Sequence, residues 1–311
     1  MPADAIVDPR SVPGAGHIAL ALVVVAAVTL AAVVAFGLAR RGGVQPRTLV
    51  ARWTTWLALA TIWAIVCLAG PLPVAILMTA FSVVGLVEFC RLADLPARHR
   101  DLLVIGALGA GLLALSGATA VLALIPILLL VGILQPIVRV DVQHGVRNLA
   151  FAALAFGYLP LLLAHGTLIA RDLEGGGRIL FVLGAAVAAS DIGAYVAGRT
   201  FGRHPLSAQL SPNKTAEGLA GNLVGAAVGC AIFGPALPPL GPLVVLALPP
   251  LVAVGSVWGD LFESAVKREF GSKDAGTWLP GFGGLLDRID SLIIVLPLGY
   301  YGLRAAALLG S

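Results

Sequence analysis

Charged residues are scarce in this sequence, and their scarcity excludes a water-soluble globular protein. Asp, Glu, Lys and Arg together make up 12% of the 311 residues, whereas hydrophobic residues make up 59%. Soluble domains carry about 25% charged residues. The composition therefore predicts an all-α fold, a polytopic integral membrane helical bundle for which the bilayer is the solvent.

Cysteine is almost absent as well. The three cysteines, Cys67, Cys90 and Cys230, are odd in number, far apart and mostly within apolar stretches. A disulfide framework and a CxxC metal site are therefore excluded. The net charge of +4 indicates no nucleic acid partner, because in a membrane protein an excess of basic residues belongs first to the loops on one side.

Long apolar runs are what the sequence has in abundance. Runs of 16 to 23 residues, bounded by charge, proline or glycine, predict about ten transmembrane helices. We interpret the first as a retained helix, since its basic pair follows the apolar run, whereas a signal peptide has its basic segment in front. The ten spans are 17–39, 54–69, 72–88, 102–117, 119–137, 148–170, 178–198, 218–234, 242–259 and 289–308.

The basic residues fall on two sides of this arrangement very unequally. Sixteen of the 20 lie in one set of connections and four in the other, which places the first set in the cytoplasm and both termini on the far side. On this basis we divide the chain into an N-terminal transmembrane helix with a basic cytoplasmic loop (1–52), further transmembrane helices (53–177) and a catalytic transmembrane region with a cytoplasmic-face active site (178–311).

Prolines inside the sixth and ninth predicted spans indicate irregular helices there. Pro160 is in the sixth span and the pair Pro249–Pro250 is in the ninth. Because proline removes a helical hydrogen bond, we expect broken helices at both positions. A plain packing kink and a functional break are both open interpretations.

A first polar stretch follows Asp191, an acid about two turns inside a span. Intramembrane acids are rare and indicate function, with a structural pair to Arg199 or Lys214 as the alternative. Downstream, Ser211-Pro-Asn-Lys214-Thr215-Ala-Glu217-Gly218 offers hydroxyls and an ammonium just before a helix start, a placement that suits phosphate oxygens. The alternative is helix capping by Ser211 or Thr215 with Lys214 as an interfacial anchor.

A second polar stretch carries ten ionisable residues between Asp260 and Asp290. Acids and bases alternate along one helical face at Asp260, Glu263 and Lys267, and Asp287 shares a face with Asp290. A glycine-rich loop before them, which includes Gly283 and Gly284, predicts accessible backbone N–H groups. These features indicate phosphate beside Mg²⁺, with a salt-bridged interfacial loop as the alternative. The bases that would neutralise a triphosphate are Lys267, Arg268, Lys273 and Arg288.

The second stretch resembles the signature of the CDP-diacylglycerol synthases, also called phosphatidate cytidylyltransferases. The matching residues are Ser264, Lys267-Arg268, Lys273-Asp274, Leu279-Pro280, Gly283-Gly284 and Asp287-Arg288-Ile-Asp290. Phe282 stands where the family has histidine. The stretch from Asp191 to Gly218 also resembles the family, so the likeness with specific motifs covers roughly 180–300.

The resemblance implies a nucleotidyltransferase that condenses phosphatidate with CTP in the membrane lipid, using Mg²⁺, and it leaves a homodimer open. It implies metal binding by Asp260, Asp287 and Asp290. Implied catalytic residues are Asp260, Lys267, Arg268, Lys273, Asp274, Asp287 and Arg288. Implied substrate-binding residues are Asp191, Ser211, Lys214, Thr215, Glu217, Gly283 and Gly284.

Three other functions stay open at this point. Phenylalanine at position 282 can neither transfer a proton nor donate to phosphate, so the chain could be an inactive or repurposed paralogue. The acceptor could also be another lipid phosphate. A transporter is the alternative from another class, although transporters carry their ionisable groups near the bilayer midplane rather than at helix ends.

Overall fold

The computed structural model describes residues 46–139, 143–207, 211–272, 276 and 283–309. The predicted span 17–39 lies outside these residues. The described α-helices are α1 (Pro46–Ala69), α2 (Pro71–Leu92), α3 (Ala97–Ala114), α4 (Ala118–Arg139), α5 (Gly145–Phe156), α6 (Leu162–Asp172), α7 (Gly176–Phe201), α8 (Ala216–Phe233), α9 (Pro242–Glu269) and α10 (Leu286–Leu309).

The helices confirm the predicted fold class. Within the described residues, six helical segments are long and apolar enough to cross a membrane: Pro71–Leu92, Gly145–Asp172, Gly176–Phe201, Ala216–Ala236, Pro242–Glu269 and Leu286–Ala306. Two shorter apolar helices, Trp56–Ala69 and Ala118–Leu134, accompany them. The protein is thus an all-α integral membrane bundle, and the full number of ten spans stays a prediction.

The outer surface of the bundle is apolar. Leu243 is 80% exposed, Val138 73% and Leu112 69%. Soluble monomers seldom expose large contiguous apolar patches, so these side chains are suited to face lipid. The interior is filled by large buried side chains such as Phe89 and Tyr300, each fully buried.

The two proline sites behave differently. A π-helical turn, Gly157–Leu161, surrounds Pro160 and joins α5 to α6, so the predicted irregularity is found there. At Pro249 and Pro250 the predicted break is wrong, because α9 continues through both prolines to Glu269. The buried neighbours Leu248 and Val252 anchor this part of α9 in the core, which offsets the hydrogen bonds that the prolines remove.

Two short strands, which the sequence did not predict, connect α7 to α8. Strand β1 (Pro205–Ser207) runs antiparallel to β2 (Ser211–Thr215). A short 3-10 turn, Gly234–Ala236, follows α8. The hairpin holds the Ser211–Thr215 segment next to the start of α8.

Glycines bring two pairs of helices unusually close. A Cβ at Gly225 of α8 would overlap the carbonyl oxygen of Ala189 in α7, and a Cβ at Gly259 of α9 would overlap the carbonyl oxygen of Asp290 in α10. Small residues at helix interfaces allow such close approach in membranes. The contact at Gly259 is adjacent to Asp260, so it sets the distance between acids on α9 and α10.

Candidate active site

The polar residues of both stretches meet in one cavity of about 360 Å³. It lies where α7, α8, α9 and α10 come together with strand β2. Predicted site residues that line it are Asp191, Lys214, Thr215, Asp260, Asp287, Arg288 and Asp290. Asp260 and Asp287, which come from different helices, therefore share a pocket, as the metal-and-phosphate interpretation requires.

An ion pair joins the two polar stretches. Lys214 Nζ on strand β2 lies 2.8 Å from Asp260 Oδ2 on α9. The antiparallel pairing of Pro205 with Thr215 fixes the end of the strand that carries Lys214. The side chain of Asp260 is 45% exposed, whereas that of Lys214 is 20% exposed with its Nζ buried, so the pair opens to solvent on the side of Asp260.

Three acids form a compact group beside this pair. One carboxylate oxygen from each of Asp260, Glu263 and Asp290 lies within 4.8 Å of the other two. Asp260 and Glu263 share a face of α9 because they are three residues apart, and the close approach at Gly259 brings Asp290 to them. The sequence placed Asp287 with Asp260 and Asp290 as a metal ligand, whereas the structure brings Glu263 into that group.

Asp287 instead takes part in an ion-pair network with Lys267. The ammonium of Lys267 lies 2.6 Å from Glu263 Oε2 and 2.8 Å from Asp287 Oδ1. The other oxygen of Asp287 accepts a hydrogen bond from the backbone N–H of Gly284 at 3.0 Å. Lys267 thus pairs with a buried carboxylate of its own helix and links α9 to α10 through Asp287, directly beside the acidic group.

Hydroxyl and amide groups form the floor of the cavity around Asp191. The hydroxyl of Ser256 donates to Asp191 Oδ1 at 3.0 Å, and Asn222 Nδ2 donates to Ser256 Oγ at 3.3 Å. Ser291 Oγ lies 3.3 Å from the same hydroxyl. Asp191 is therefore held by Ser256 from α9, while Lys214, its proposed structural partner, pairs with Asp260.

Two predicted substrate-binding residues serve the local structure of the hairpin. Thr215 caps α8, since its Oγ1 accepts from Gly218 N at 3.0 Å, and it also lines the cavity. Glu217 accepts from the backbone N–H groups of Arg203 and His204 and pairs with the His204 ring at 2.6 Å. The capping alternative is thus correct for Thr215.

The glycine-rich loop uses its N–H groups within the protein. Gly284 N donates to Asp287, while Leu285 N and Leu286 N donate to the carboxylate of Glu88 at 2.9 and 2.8 Å. Gly283 has a φ of 84°, which favours glycine. The accessible N–H groups expected for phosphate are therefore engaged by carboxylates from Gly284 to Leu286.

The remaining predicted residues lie beside the cavity or outside the described part of the chain. Ser211 pairs with Ser207 in the hairpin, and Arg268 donates to the carbonyl oxygen of Ser272 at 3.2 Å in an exposed position. Lys273, Asp274 and Phe282 lie outside the described residues. Their predicted roles stay predictions.

Sequence reasoning missed Glu88, which is fully buried near the end of α2. A signal for it was present, because Glu88 is an acid at the end of an apolar run. The rule that singled out Asp191 applies equally to Glu88. Glu263 was recognised on its helical face but not as a member of the acidic group, because that required the position of α10.

Comparison with known proteins places the chain in a family. Residues 50–306 match the model of the "Cytidylyltransferase family". The chain is 33% identical over 261 residues to a phosphatidate cytidylyltransferase of Bacillus subtilis (strain 168), a match that covers 80% of this chain and 96% of that protein.

Two further relatives match over a shorter region. A phosphatidate cytidylyltransferase of Mycobacterium leprae (strain TN) is 38% identical over 152 residues, or 49% of this chain. The uncharacterized protein YnbB of Escherichia coli (strain K12) is 41% identical over 133 residues, or 43% of this chain. In these two matches the chain spans just under half the length of the relative, 48% and 45%. Because the family model covers most of the chain and the Bacillus subtilis match nearly all of that relative, the chain belongs to the cytidylyltransferase family, which confirms the resemblance seen in its signature residues.

Proposed function

We propose that the protein transfers a cytidylyl group from CTP to phosphatidate, giving CDP-diacylglycerol and pyrophosphate. The observation that carries this proposal is the cavity in which acids and bases from α7, α9, α10 and strand β2 meet. The names of the Bacillus subtilis and Mycobacterium leprae relatives supply the substrates. In a membrane bundle, a polar cavity at helix ends can bind a water-soluble nucleotide and a lipid headgroup at the same time.

Cytidylyl transfer to phosphatidate requires charge screening rather than a strong base. A phosphate oxygen of phosphatidate attacks the α-phosphorus of CTP; that P–O bond forms, the bond to the bridging oxygen of the β-phosphate breaks, and pyrophosphate leaves with the bond's electron pair. A phosphate monoester is ionised at pH 7, so the nucleophile carries no proton to remove. The protein must hold anions in line against their repulsion.

Bases at the cavity are suited to that screening. Lys214 and Arg288 line the cavity, and Lys267 lies against its acids. Lys214 lines the cavity and pairs with Asp260, whose side chain is 45% exposed, so a phosphate in the cavity can replace this acid as the partner of the ammonium. Lys267 sits between two buried carboxylates and instead keeps them oriented.

The acidic group fits a magnesium ion. Five acids, Asp191, Asp260, Glu263, Asp287 and Asp290, adjoin three bases, Lys214, Lys267 and Arg288, so acids outnumber bases in a cavity meant for anions. Among the described residues, Glu263 Oε1 is buried with no hydrogen-bond partner. Carboxylate oxygens are the ligands that Mg²⁺ takes in proteins, and one oxygen from each of the three acids lies within 4.8 Å of the other two.

We therefore propose that Asp260, Glu263 and Asp290 hold Mg²⁺. Asp287 lies next to this group, because Lys267 pairs with both Glu263 and Asp287. When bound, the ion would neutralise phosphate oxygens and stabilise the charge that develops as pyrophosphate leaves. This assignment adds Glu263 to the ligands implied by the family resemblance. Asp287 orients Lys267 and stays a candidate ligand of its own.

We further propose that the cavity faces the cytoplasm of the inner membrane. The helix ends around it carry Arg199, Lys214, Lys267 and Arg288, which belong to the larger set of basic residues. CTP is a cytoplasmic nucleotide, so the two inferences agree. A homodimer stays a prediction.

The test is an assay of the purified protein in detergent. We expect Mg²⁺-dependent pyrophosphate release from CTP plus phosphatidate, with CDP-diacylglycerol identified by mass spectrometry. Asp290→Asn should reduce turnover by about 10²-fold or more, because it removes one of three proposed ligands. The matched control is Asp172→Asn, which removes a carboxylate that accepts from Tyr300 at the other end of α10.

Phe282→His distinguishes an active enzyme from a disabled paralogue. If the wild type is active, the histidine should raise its rate of pyrophosphate release by about 10²- to 10⁴-fold at most. Activity that appears in Phe282→His alone would identify a disabled paralogue. Release with a different lipid phosphate, but none with phosphatidate, would replace the proposed acceptor, and no release with any lipid phosphate would refute the enzyme.

A further inference from the structure

Glu88 is a buried carboxylate that the proposed reaction does not use. It lies on α2, fully buried, and its two oxygens each accept one backbone N–H across 197 and 198 residues of sequence. Oε1 accepts from Leu285 at 2.9 Å and Oε2 from Leu286 at 2.8 Å. Glu88 therefore caps the start of α10 from a different helix.

Two glycines make room for this carboxylate. A Cβ at Gly276 would lie 2.6 Å from Glu88 Oε1, and a Cβ at Gly284 would lie 2.9 Å from Oε2. Both distances are too short for a real carbon–oxygen contact. Glu88 thus lies against Gly276 and Gly284 as well as against the start of α10 itself.

The first turn of α10 is held from two sides. The first N–H groups of a helix have no partner within the helix, and a negative charge near them is favourable. Asp287 satisfies Gly284 from within the turn, and Glu88 satisfies the next two N–H groups from outside. The same turn presents Asp287 to Lys267 and, three residues later, Asp290 to the acids of α9.

We propose that Glu88 is a positioning residue that holds Asp287 and Asp290 of α10 against Asp260, Glu263 and Lys267 of α9. This inference rests on the proposed function and assigns it a residue in the N-terminal half of the chain. Packing alone would be served by an apolar side chain without the desolvation of a carboxylate. A carboxylate at this point is the group that can fix two neighbouring N–H groups at once.

The test compares Glu88→Gln with Asp172→Asn and wild type in detergent. Glutamine keeps the size of the side chain, but its amide NH₂ faces one of the two N–H groups, so the first turn of α10 must shift. We expect kcat to fall by about 10- to 100-fold, as a displacement near 1 Å can cause, with KM for CTP changed less than about threefold. Affinity for Mn²⁺, measured by electron paramagnetic resonance, should weaken by about tenfold.

Asp172→Asn should lose thermal stability while it keeps wild-type kcat and Mn²⁺ affinity. If Glu88→Gln does the same, Glu88 is merely structural and the inference is overturned. Should Glu88→Gln fail to fold, Glu88→Asp, which keeps the charge on a shorter side chain, takes its place in both measurements.

The two proposals fail in different ways. A wild type that binds Mn²⁺ but releases no pyrophosphate would refute the proposed function, and the Mn²⁺ affinity of the variants would still decide the role of Glu88. A wild type that is active without binding Mn²⁺ would refute the metal assignment, and kcat would decide instead. A wild type with neither property would refute both.

Discussion

Gly259→Ala should slow turnover by separating α9 from α10. The new methyl group would lie 2.8 Å from the carbonyl carbon of Asp290 and 2.9 Å from the Cα of Ser291. Carbon atoms rest about 3.5–4.0 Å apart, so the helices must separate by roughly 1 Å. Because the atoms in the way belong to the backbone, no side-chain rotation can relieve the overlap.

The size of the effect follows from the position of Gly259. Asp260 is the next residue and Asp290 is the residue that the methyl group would meet, so the separation acts directly on the acidic group. We expect kcat to fall by about 10²-fold, with a loss of about 1–3 kcal/mol in unfolding free energy from overpacking. Pyrophosphate release and thermal unfolding in detergent measure the two quantities separately.

Two glycine variants serve as controls for this prediction. Gly241→Ala lies at the N-terminus of the same helix with no atom within 4 Å of the added methyl group, so it should behave as wild type. In Gly177→Ala the added methyl group would overlap the carbonyl oxygen of Cys67 near the start of α7, so this variant should lose stability but keep kcat. A Gly259→Ala protein with wild-type kcat would refute the inference that helix separation sets the geometry of the acids.

Three further predictions test individual contacts. Lys267→Met should lower the unfolding free energy by about 3–5 kcal/mol and abolish turnover, because it leaves Glu263 and Asp287 buried without their cation; an unchanged melting temperature would contradict the buried network. Lys214→Ala should cost at most about 1 kcal/mol, since its partner Asp260 is exposed, yet raise KM for CTP; an unchanged KM would remove Lys214 from the phosphate ligands. Thr215→Ala should lose about 1 kcal/mol through the missing cap of α8, as thermal unfolding would report; an equal loss in Thr215→Ser, which removes only the methyl group and keeps the hydroxyl, would show that the hydroxyl is not the cause.

Much of the fold could be predicted because the helices depend on local patterns of apolar and charged residues. Apolar runs bounded by charge, proline or glycine located nine of the described helical segments, and the alternation of Asp260, Glu263 and Lys267 predicted that they share a face of one helix. The prediction failed at Pro249 and Pro250, where packing of α9 in the core outweighs the lost backbone hydrogen bonds. It also missed the hairpin, because strands of three and five residues carry too little pattern to be recognised.

The sequence by itself determined that this is a membrane protein of the cytidylyltransferase family and which two stretches carry its chemistry, because hydropathy, charge and signature spacing are properties of neighbouring residues. Only the tertiary structure decided which acids stand together. Glu263 joins Asp290 because Gly259 lets α9 approach α10, and Glu88 reaches Leu285 because α2 packs beside the start of α10. Contacts between residues 197 positions apart depend on helix packing, which no local spacing records.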